Sequence, residues 1–166
     1  MKVILSSNRN PYFETFTEYI EKAFKENNCE VIFFENRDFV IPGRIRDRMV
    51  YLQKWDLQRL NKKLISIAQT YKPDIFLEAG GWNILPDAIV NMKGIGIKTA
   101  LWTVDAPRNF EPIINAAPYY DYVFTQGSEA YEILERYNVK NLYWMPFACD
   151  PDIHKPVEIS NEEKER

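Results

Sequence analysis

An α/β fold built on a mostly parallel six-stranded sheet is what the sequence predicts. Short apolar runs of strand length alternate with longer amphipathic segments along the chain, and this alternation is typical of βαβ units with right-handed crossovers. The chain has 166 residues, enough for one domain with a sizeable core. We therefore expect a Rossmann-like three-layer sandwich over residues 1–157, followed by a charged tail at residues 158–166.

The strands are predicted from apolar runs that end at turn-forming residues. They are residues 3–5, 30–35, 74–79, 99–104, 122–125 and 141–144. The helices are predicted from apolar residues at helical spacing and from signals at their ends. They are residues 11–26, 52–71, 86–92, 111–117 and 128–137.

The two longest helices have the clearest signals. Asn10 is suited to cap the first helix and Pro11 to open it. The apolar stripe expected on that helix consists of Phe13, Phe16, Ile20 and Phe24. The buried face expected on the second helix consists of Leu57, Leu60, Leu64, Ile67 and Tyr71. Both stripes require a sheet to pack against.

Composition narrows the classes of partner. The net charge is -3, which does not favour nucleic acid or an anionic membrane surface. No stretch approaches the roughly 20 apolar residues of a membrane span. Cys29 and Cys149 lack the spacing of metal ligands, and His154 is the chain's one histidine, so we expect no metal site. Reduced thiols favour a cytoplasmic location.

The end of the fourth strand is the strongest candidate for chemistry. Asp105, Pro107 and Arg108 follow the apolar run at residues 99–104 directly. Open α/β sheets bind ligands beyond the carboxyl ends of their strands, where a carboxylate can serve as general base toward a hydroxyl. We predict that Asp105 is catalytic and that Arg108 binds a carboxylate or phosphate. The alternatives are a turn-forming aspartate and a solvated loop arginine.

The end of the first strand offers Ser7, Asn8 and Arg9. Neither G-x-G-x-x-G nor G-x-x-x-x-G-K-[ST] occurs there, so a dinucleotide or P-loop site is not expected. The position at a strand end favours a polar substrate-binding site for these three residues. The alternative is a solvated loop with a helix cap.

The end of the third strand offers Glu78, Gly80, Gly81 and Trp82 as further substrate-binding candidates. Glycines permit a positive φ or a close approach of the backbone, and a tryptophan beside them provides a stacking face for a sugar or base. Trp82 could instead cover the core. Glu78 lies in an apolar strand, so we expect it either to pair with a cation or to point into the crevice.

Four arginines occur between the second strand and the long helix. They are Arg37, Arg44, Arg46 and Arg48. They could receive an anionic acceptor, or they could form a solvated face, which is the commoner role of such residues.

Several stretches together resemble one known family. They are LWTVDAP, APYYDYVFTQ, YKPDIFLEAGG and YWMPFACDPDIHKPV. In combination they are similar to the amino-terminal half of CgeB-like spore-maturation glycosyltransferases, which have a GT-B organisation. The resemblance covers about residues 44–157, and its last stretch looks like the segment that leads from the first GT-B domain into the second. By this resemblance Asp105 matches the acidic position of W-x-x-D-x-P, and Asp150, a substrate-binding candidate, matches that of the crossover.

The resemblance implies the acceptor-side domain of an enzyme that transfers a sugar from a nucleotide-sugar donor to a hydroxyl acceptor. It implies no cofactor in this chain, because a second GT-B domain, in cis or in trans, would hold most of the donor site. Residues 158–166 could be the start of that domain. The chain alone is not expected to transfer sugar efficiently, since holding donor and acceptor in one cleft supplies much of the rate.

Two other functions stay open on the sequence. One is a non-catalytic module that binds a glycan or small polar ligand, or that docks a protein partner. The other is a flavodoxin-like or sugar-sensing domain, which requires a phosphate-binding first loop. The stretch SSNRNP is poorly suited to that task.

Overall fold

A computed structural model describes residues 1–104 and 110–156 and contains one six-stranded sheet in which every pairing is parallel. The strands are β1 Lys2–Ser7, β2 Glu30–Glu35, β3 Ile75–Ala79, β4 Lys98–Thr103, β5 Tyr122–Thr125 and β6 Leu142–Trp144. Their spatial order is β2-β1-β3-β4-β5-β6. The predicted α/β fold with a mostly parallel six-stranded sheet is confirmed.

The helices are α1 Phe16–Glu26, α2 Gly43–Arg46, α3 Val50–Tyr71, α4 Pro86–Gly94, α5 Glu111–Ala116 and α6 Ser128–Arg136. Right-handed crossovers place helices on one face when the chain moves one way along the sheet and on the other face when it moves back. The step from β1 to β2 is the one that runs against the others. The helix α1 therefore packs on one face, while α3, α4, α5 and α6 pack on the opposite face.

Two apolar clusters fill the space between the three layers. The larger joins Phe76 and Leu101 of the sheet to Leu60 and Leu64 of α3. The smaller joins alternate residues of the same strands, among them Leu77, to α1. Because side chains alternate across a strand, the residue following Leu77, Glu78, points to the side of the larger cluster.

A segment beyond β6 returns over the face that carries α1. The Phe147 ring lies 5.5 Å from Trp102 and 6.2 Å from Phe16, centroid to centroid. A cavity of about 560 Å³ remains between this segment and α1, lined mainly by apolar side chains. Part of this face is thus covered by an extended segment in place of a helix.

The first helix begins later than the sequence predicts. Thr15, not Asn10, is the N-cap, and Glu18 completes a capping box by accepting a hydrogen bond from the Thr15 amide at 2.7 Å. Asn10 instead accepts a hydrogen bond from the Tyr12 amide at 2.9 Å, which makes a local turn. Phe13 precedes the helix and is 65% exposed, so the prediction that it is buried with α1 was wrong.

The long helix α3 also buries the carboxylate of Asp56, which its pattern of apolar residues does not predict. The Asp56 oxygens accept hydrogen bonds from the amides of Val40 (3.2 Å) and Ile41 (2.9 Å) and from Arg59 Nε (3.0 Å). Burial would raise the pKa of Asp56, but the Ile41, Arg59 and Val40 hydrogen bonds outweigh it and hold that pKa below its usual range. Asp56 thereby fixes the loop after β2 to α3.

None of the helices in the described ranges is both long enough and apolar enough to cross a membrane.

Asp56→Asn is expected to lower the free energy of unfolding by about 2 kcal/mol at neutral pH, because a buried hydrogen-bonded charge is lost. A depressed carboxyl pKa contributes stability that is present above the unfolded-state value of about 3.9 and is lost as the pH falls below it. The difference between wild type and variant should therefore shrink below about pH 4. Urea unfolding at neutral and acidic pH measures both quantities.

The matched control is Asp47→Asn, since Asp47 is an exposed aspartate that touches Arg46 at 3.5 Å. It should change stability by less than about 0.5 kcal/mol. Equal losses in the two variants would show that Asp56 does not anchor the loop.

Candidate functional site

The carboxyl edge of the sheet contains the point at which strand order reverses. The chain goes from β1 to β2 on one side of β1 and then returns to β3 on the other. The loop after β1 leads to α1 on one face, whereas the loop after its neighbour β3 leads to α4 on the other face. Open α/β sheets bind ligands at the edge where neighbouring loops part in this way. The ends of β1 and β3 lie side by side there, with Ser6 opposite Glu78 in the strand register.

Two glycines form the turn directly after β3. Gly80 and Gly81 have φ values of +128° and +107°, which L side chains rarely adopt. A Cβ at Gly81 would also lie 3.1 Å from Leu101 Cδ1 and 3.2 Å from Ile113 Cγ1. The turn allows the Gly81 amide to donate back to Glu78 Oε1 at 3.3 Å. At Gly81, both the backbone angle and the lack of space for a side chain therefore require glycine.

Glu78 is completely buried beneath this turn. Its Oε1 accepts hydrogen bonds from Asn36 Nδ2 at 3.2 Å and from the Gly81 amide, whereas its Oε2 has no hydrogen-bond partner. No cation contacts it in the part of the chain that the structure describes. Burial raises the pKa of Glu78 to about 7, partly offset by Ser6, Gly81 and Asn36. Its role in binding substrate stays a prediction.

A second buried group shares this environment. The Tyr120 hydroxyl has no hydrogen-bond partner, and its pKa is raised well above the usual value by burial and by the Glu78 carboxylate. Unpartnered polar atoms cost free energy in a protein interior. The larger apolar core therefore contains two buried groups with unpartnered polar atoms, Glu78 near the end of β3 and Tyr120 just before β5.

Asparagines join the loops that follow β2 and β3. Asn83 Nδ2 donates to the Asn36 carbonyl at 2.9 Å, so the two loops meet above the end of β1. Asn61 of α3 donates to the Asn83 carbonyl at 2.9 Å and accepts from the Leu85 amide at 2.9 Å. These bonds fix the wall of the crevice to α3.

Between the two loops lies a cleft of about 550 Å³. Its lining comprises Arg37, Phe39, Ile41, Pro42, Gly43, Arg46, Trp82 and Asn83. Trp82 is 40% exposed there, so it does not act solely as a cover for the core. Two of the four arginines considered in the sequence thus come together with the predicted stacking residue.

The first-strand candidates do not line this cleft. Ser7 is buried and shares a hydrogen bond with Thr17 Oγ1 at 2.8 Å, and Thr17 Oγ1 donates to the Asn8 carbonyl at 2.9 Å. Arg9 forms ion pairs with Glu18 and Glu21 of α1. In this structure all three residues tie the first loop to α1, and their substrate-binding role is untested.

Asp150 lies on the opposite side of the sheet from Glu78. It pairs with Lys22 Nζ at 2.7 Å and borders the cavity beside α1. The Lys22 side chain and the Asp152 amide hold the pKa of Asp150 below its usual range. The structure therefore does not bring Asp150 together with the glycine turn.

Asp105 and Arg108 lie outside the described residues, so the structure locates only the strand that leads to them. That strand, β4, ends at Thr103 on the same edge as Ala79 of β3, its neighbour in the sheet. The predicted roles of Asp105 and Arg108 stay predictions. Within residues 1–104 and 110–156, no group of three or more His, Cys, Asp or Glu side chains is arranged to hold a metal ion.

Reasoning from sequence missed the asparagines of the crevice wall. Asn36 and Asn83 are ordinary loop residues by composition, and nothing in the chain links them. Asn61 carried a usable signal, because it lies at helical spacing beside Leu57, Leu60 and Leu64 of an apolar stripe. A polar residue on a buried face requires a partner, which here is the loop after β3.

Comparisons with known proteins agree with the fold. No family model matches the sequence, and no curated protein matches it. A solved structure that the chain resembles is UDP-GlcNAc 2-epimerase from Methanocaldococcus jannaschii, with a TM-score of 0.52 at 14% identity. The likeness covers 87% of this chain and 45% of that chain. The chain thus spans less than half of that neighbour, and at this identity the likeness concerns the Rossmann-like, GT-B-like fold.

Gly81→Ala is expected to lower the free energy of unfolding by about 2 to 3 kcal/mol, because the added methyl meets a positive φ and two core side chains. Gly127→Ala is the matched control, since Gly127 has an ordinary φ of -98° and a Cβ added there would have no neighbouring atom within 4 Å. Chemical unfolding compares them. A Gly81→Ala protein as stable as Gly127→Ala would contradict this account of the turn.

Glu78→Gln is expected to remove a pH dependence of stability. An acid whose folded pKa is about 7 and whose unfolded pKa is about 4.3 destabilises the fold progressively as the pH rises between those values. The loss approaches about 4 kcal/mol once the pH is well above 7. The variant should keep its stability at about pH 8, where it should exceed the wild type.

Denaturant unfolding at about pH 5, 6.5 and 8 measures this difference, with Glu30→Gln as the control because Glu30 is exposed at the start of β2. A wild-type stability that does not decline relative to Glu78→Gln over this range would contradict the buried, uncompensated carboxyl.

Proposed function

We propose that this chain is the acceptor-side domain of a glycosyltransferase that transfers a sugar from a nucleotide-sugar donor to a hydroxyl acceptor. The observation that carries the proposal is a parallel sheet in which a glycine turn, a partly exposed tryptophan and the end of β4 lie at the same, carboxyl edge. The resemblance of LWTVDAP and its companion stretches to CgeB-like enzymes supports the reaction type. The likeness to a UDP-GlcNAc 2-epimerase supports sugar-nucleotide chemistry for this kind of fold.

We assign the donor site to a second domain that acts in cis or in trans. The chain spans 45% of its structural neighbour, and the first βα loop lacks the glycine pattern that would bind a diphosphate. The nucleotide-sugar is thus a substrate brought by the complete enzyme. A cytoplasmic location, where nucleotide-sugars and reduced cysteines are both expected, belongs to the same proposal.

In the proposed reaction, Asp105 is the general base that takes the proton of the acceptor hydroxyl. The acceptor hydroxyl would bond to the anomeric carbon while Asp105 takes its proton, and the bond from that carbon to the diphosphate would break with its electron pair leaving on the nucleotide. This reaction requires Asp105, which follows β4 in the sequence, to reach this edge of the sheet, and the positive φ values of Gly80 and Gly81 mark a turn at which a ligand can approach the backbone. Trp82 offers an aromatic face to a sugar ring.

Asp105→Asn in the product of the complete gene is expected to lower kcat by about 100-fold or more, which is the usual contribution of a general base. Release of nucleoside diphosphate from a panel of UDP-, TDP- and GDP-sugars measures the rate. Asp74→Asn is the control, because Asp74 lies at the opposite, amino-terminal edge of the sheet, where it accepts a hydrogen bond from the Lys2 amide. Its activity should stay within about twofold of wild type.

Three outcomes of this experiment lead to three different conclusions. Transfer that is lost in Asp105→Asn and kept in Asp74→Asn supports the proposal. Transfer that survives Asp105→Asn removes Asp105 from the reaction but leaves the enzyme. Absence of turnover with every donor, together with saturable binding of a glycan, would favour the non-catalytic binding module.

A further inference from the structure

We propose that the ligand of this domain is an acidic sugar, and that the cleft of Arg37, Arg46 and Trp82 binds its phosphate or carboxylate group. The identification of this ligand as the acceptor rests on the proposed function. The binding of an anionic sugar in the cleft rests on the geometry of the described residues alone.

The cleft lies where the loops after β2 and β3 meet. Arg37 comes from the first of these loops and Trp82 from the second, and the hydrogen bond from Asn83 to the Asn36 carbonyl joins the loops. The cleft lies at the carboxyl edge of the sheet, beside the loop that leaves β3 at the reversal of strand order, and this is the edge at which open α/β sheets bind ligands. Its volume of about 550 Å³ suits a small molecule of monosaccharide size or somewhat larger.

The charge of the cleft lining is positive and only partly compensated. Of the described residues that line the cleft, two are arginines and none is acidic, although the whole chain has a net charge of -3. The Arg37 side chain is exposed and forms no ion pair with a described residue. Arg46 reaches one carboxylate, Asp47, at 3.5 Å, and that aspartate is itself largely exposed.

The acids near the cleft are engaged elsewhere. Asp38 binds Lys63 Nζ at 2.5 Å, and Asp56 binds Arg59 and two amides. Glu35 accepts hydrogen bonds from the backbone amides of Arg9 and Arg37. Since these carboxylates already have partners, the guanidinium groups of the cleft keep their capacity for an external anion. A guanidinium binds carboxylate and phosphate oxygens in a paired geometry.

The cleft is held in shape before any ligand arrives. The Arg46 guanidinium lies 4.0 Å from the centroid of the Phe39 ring, and its side chain is only 20% exposed. Asp56 fixes the backbone at Val40 and Ile41, and Asn61 fixes the opposite wall through Asn83. Such preorganisation lowers the entropy that binding must overcome.

Trp82 is the residue that would contact the sugar ring of the ligand. Its ring is 40% exposed on the wall facing the arginine loop, and an aromatic face is suited to pack against the apolar C–H face of a pyranose. An anionic group at the arginines and a ring at Trp82 together describe a sugar phosphate or a uronic acid.

Isothermal titration of this chain at low ionic strength with glucose 6-phosphate, glucuronate and glucose tests the proposal. We expect saturable binding of at least one acidic sugar and binding of glucose that is weaker by about tenfold or more. Arg37→Gln and Arg46→Gln should each weaken binding of the acidic sugar by about tenfold. Arg44→Gln is the matched control. Arg44 belongs to α2, as Arg46 does, but it is exposed and does not line the cleft.

A preference for glucose 6-phosphate or for glucuronate identifies the anionic group, and either preference supports the proposal. Equal binding of glucose and the acidic sugars overturns it. So does unchanged binding in both Arg37→Gln and Arg46→Gln, or failure of both acidic sugars to bind. Unfolding midpoints of the variants, expected to match the wild type, exclude a loss of fold as the cause.

The test of the acidic-sugar site and the test of the proposed transferase can fail independently of each other. Acidic sugar binding by this chain without sugar transfer by the complete enzyme would keep the site and refute the transferase. Transfer to neutral acceptors that Arg37→Gln and Arg46→Gln leave unchanged would keep the transferase and refute the site.

Discussion

The position of β1 between β2 and β3 is the constraint on which the rest of the structure depends. β1 pairs with both neighbours in parallel, so the crossover from β1 to β2 runs one way along the sheet and the later crossovers run the other way. With right-handed crossovers, this puts α1 alone on one face and α3 to α6 on the other. It also brings the loops after β2 and β3 to the same face, where Arg37 and Trp82 line one cleft. A different neighbour for β1 would separate these groups.

The groups around the crevice lower the stability of the fold, and the packing of the apolar core offsets this loss. Gly80 and Gly81 lose more conformational entropy on folding than other residues would, and Glu78 is buried with one unpartnered oxygen and without a cation among the described residues. Unpartnered polar atoms are tolerated where the surrounding packing is strong enough to hold them in place. Here the surrounding structure is the pair of apolar clusters that sandwich β3. This combination is more typical of a functional edge than of a turn that merely connects two elements.

Two concave surfaces of different chemistry flank the sheet. The cleft above β1 is cationic and carries an exposed indole, whereas the cavity beside α1 is lined mainly by apolar side chains and is bordered by the Lys22–Asp150 pair. The first suits a small charged ligand. The second arises because one crossover alone supplies a helix to that face, and an extended segment beyond β6 with Phe147 covers part of what remains.

The sequence by itself determined the order of the six strands and of the main helices and the need for glycine after β3, because these follow from local periodicity and from backbone angles. It misplaced the start of α1, although the capping box of Thr15 and Glu18 is itself a local signal, and it assigned Phe13 and Tyr71 to buried faces where both are exposed. The partners of Glu78, the internal pairing of Arg9 and the meeting of Arg37 with Trp82 were decided by tertiary structure alone. Asn36 and Glu78, and Arg37 and Trp82, are more than 40 residues apart in the chain, and even the shorter-range pairs of Arg9 depend on how α1 packs, which no local pattern encodes.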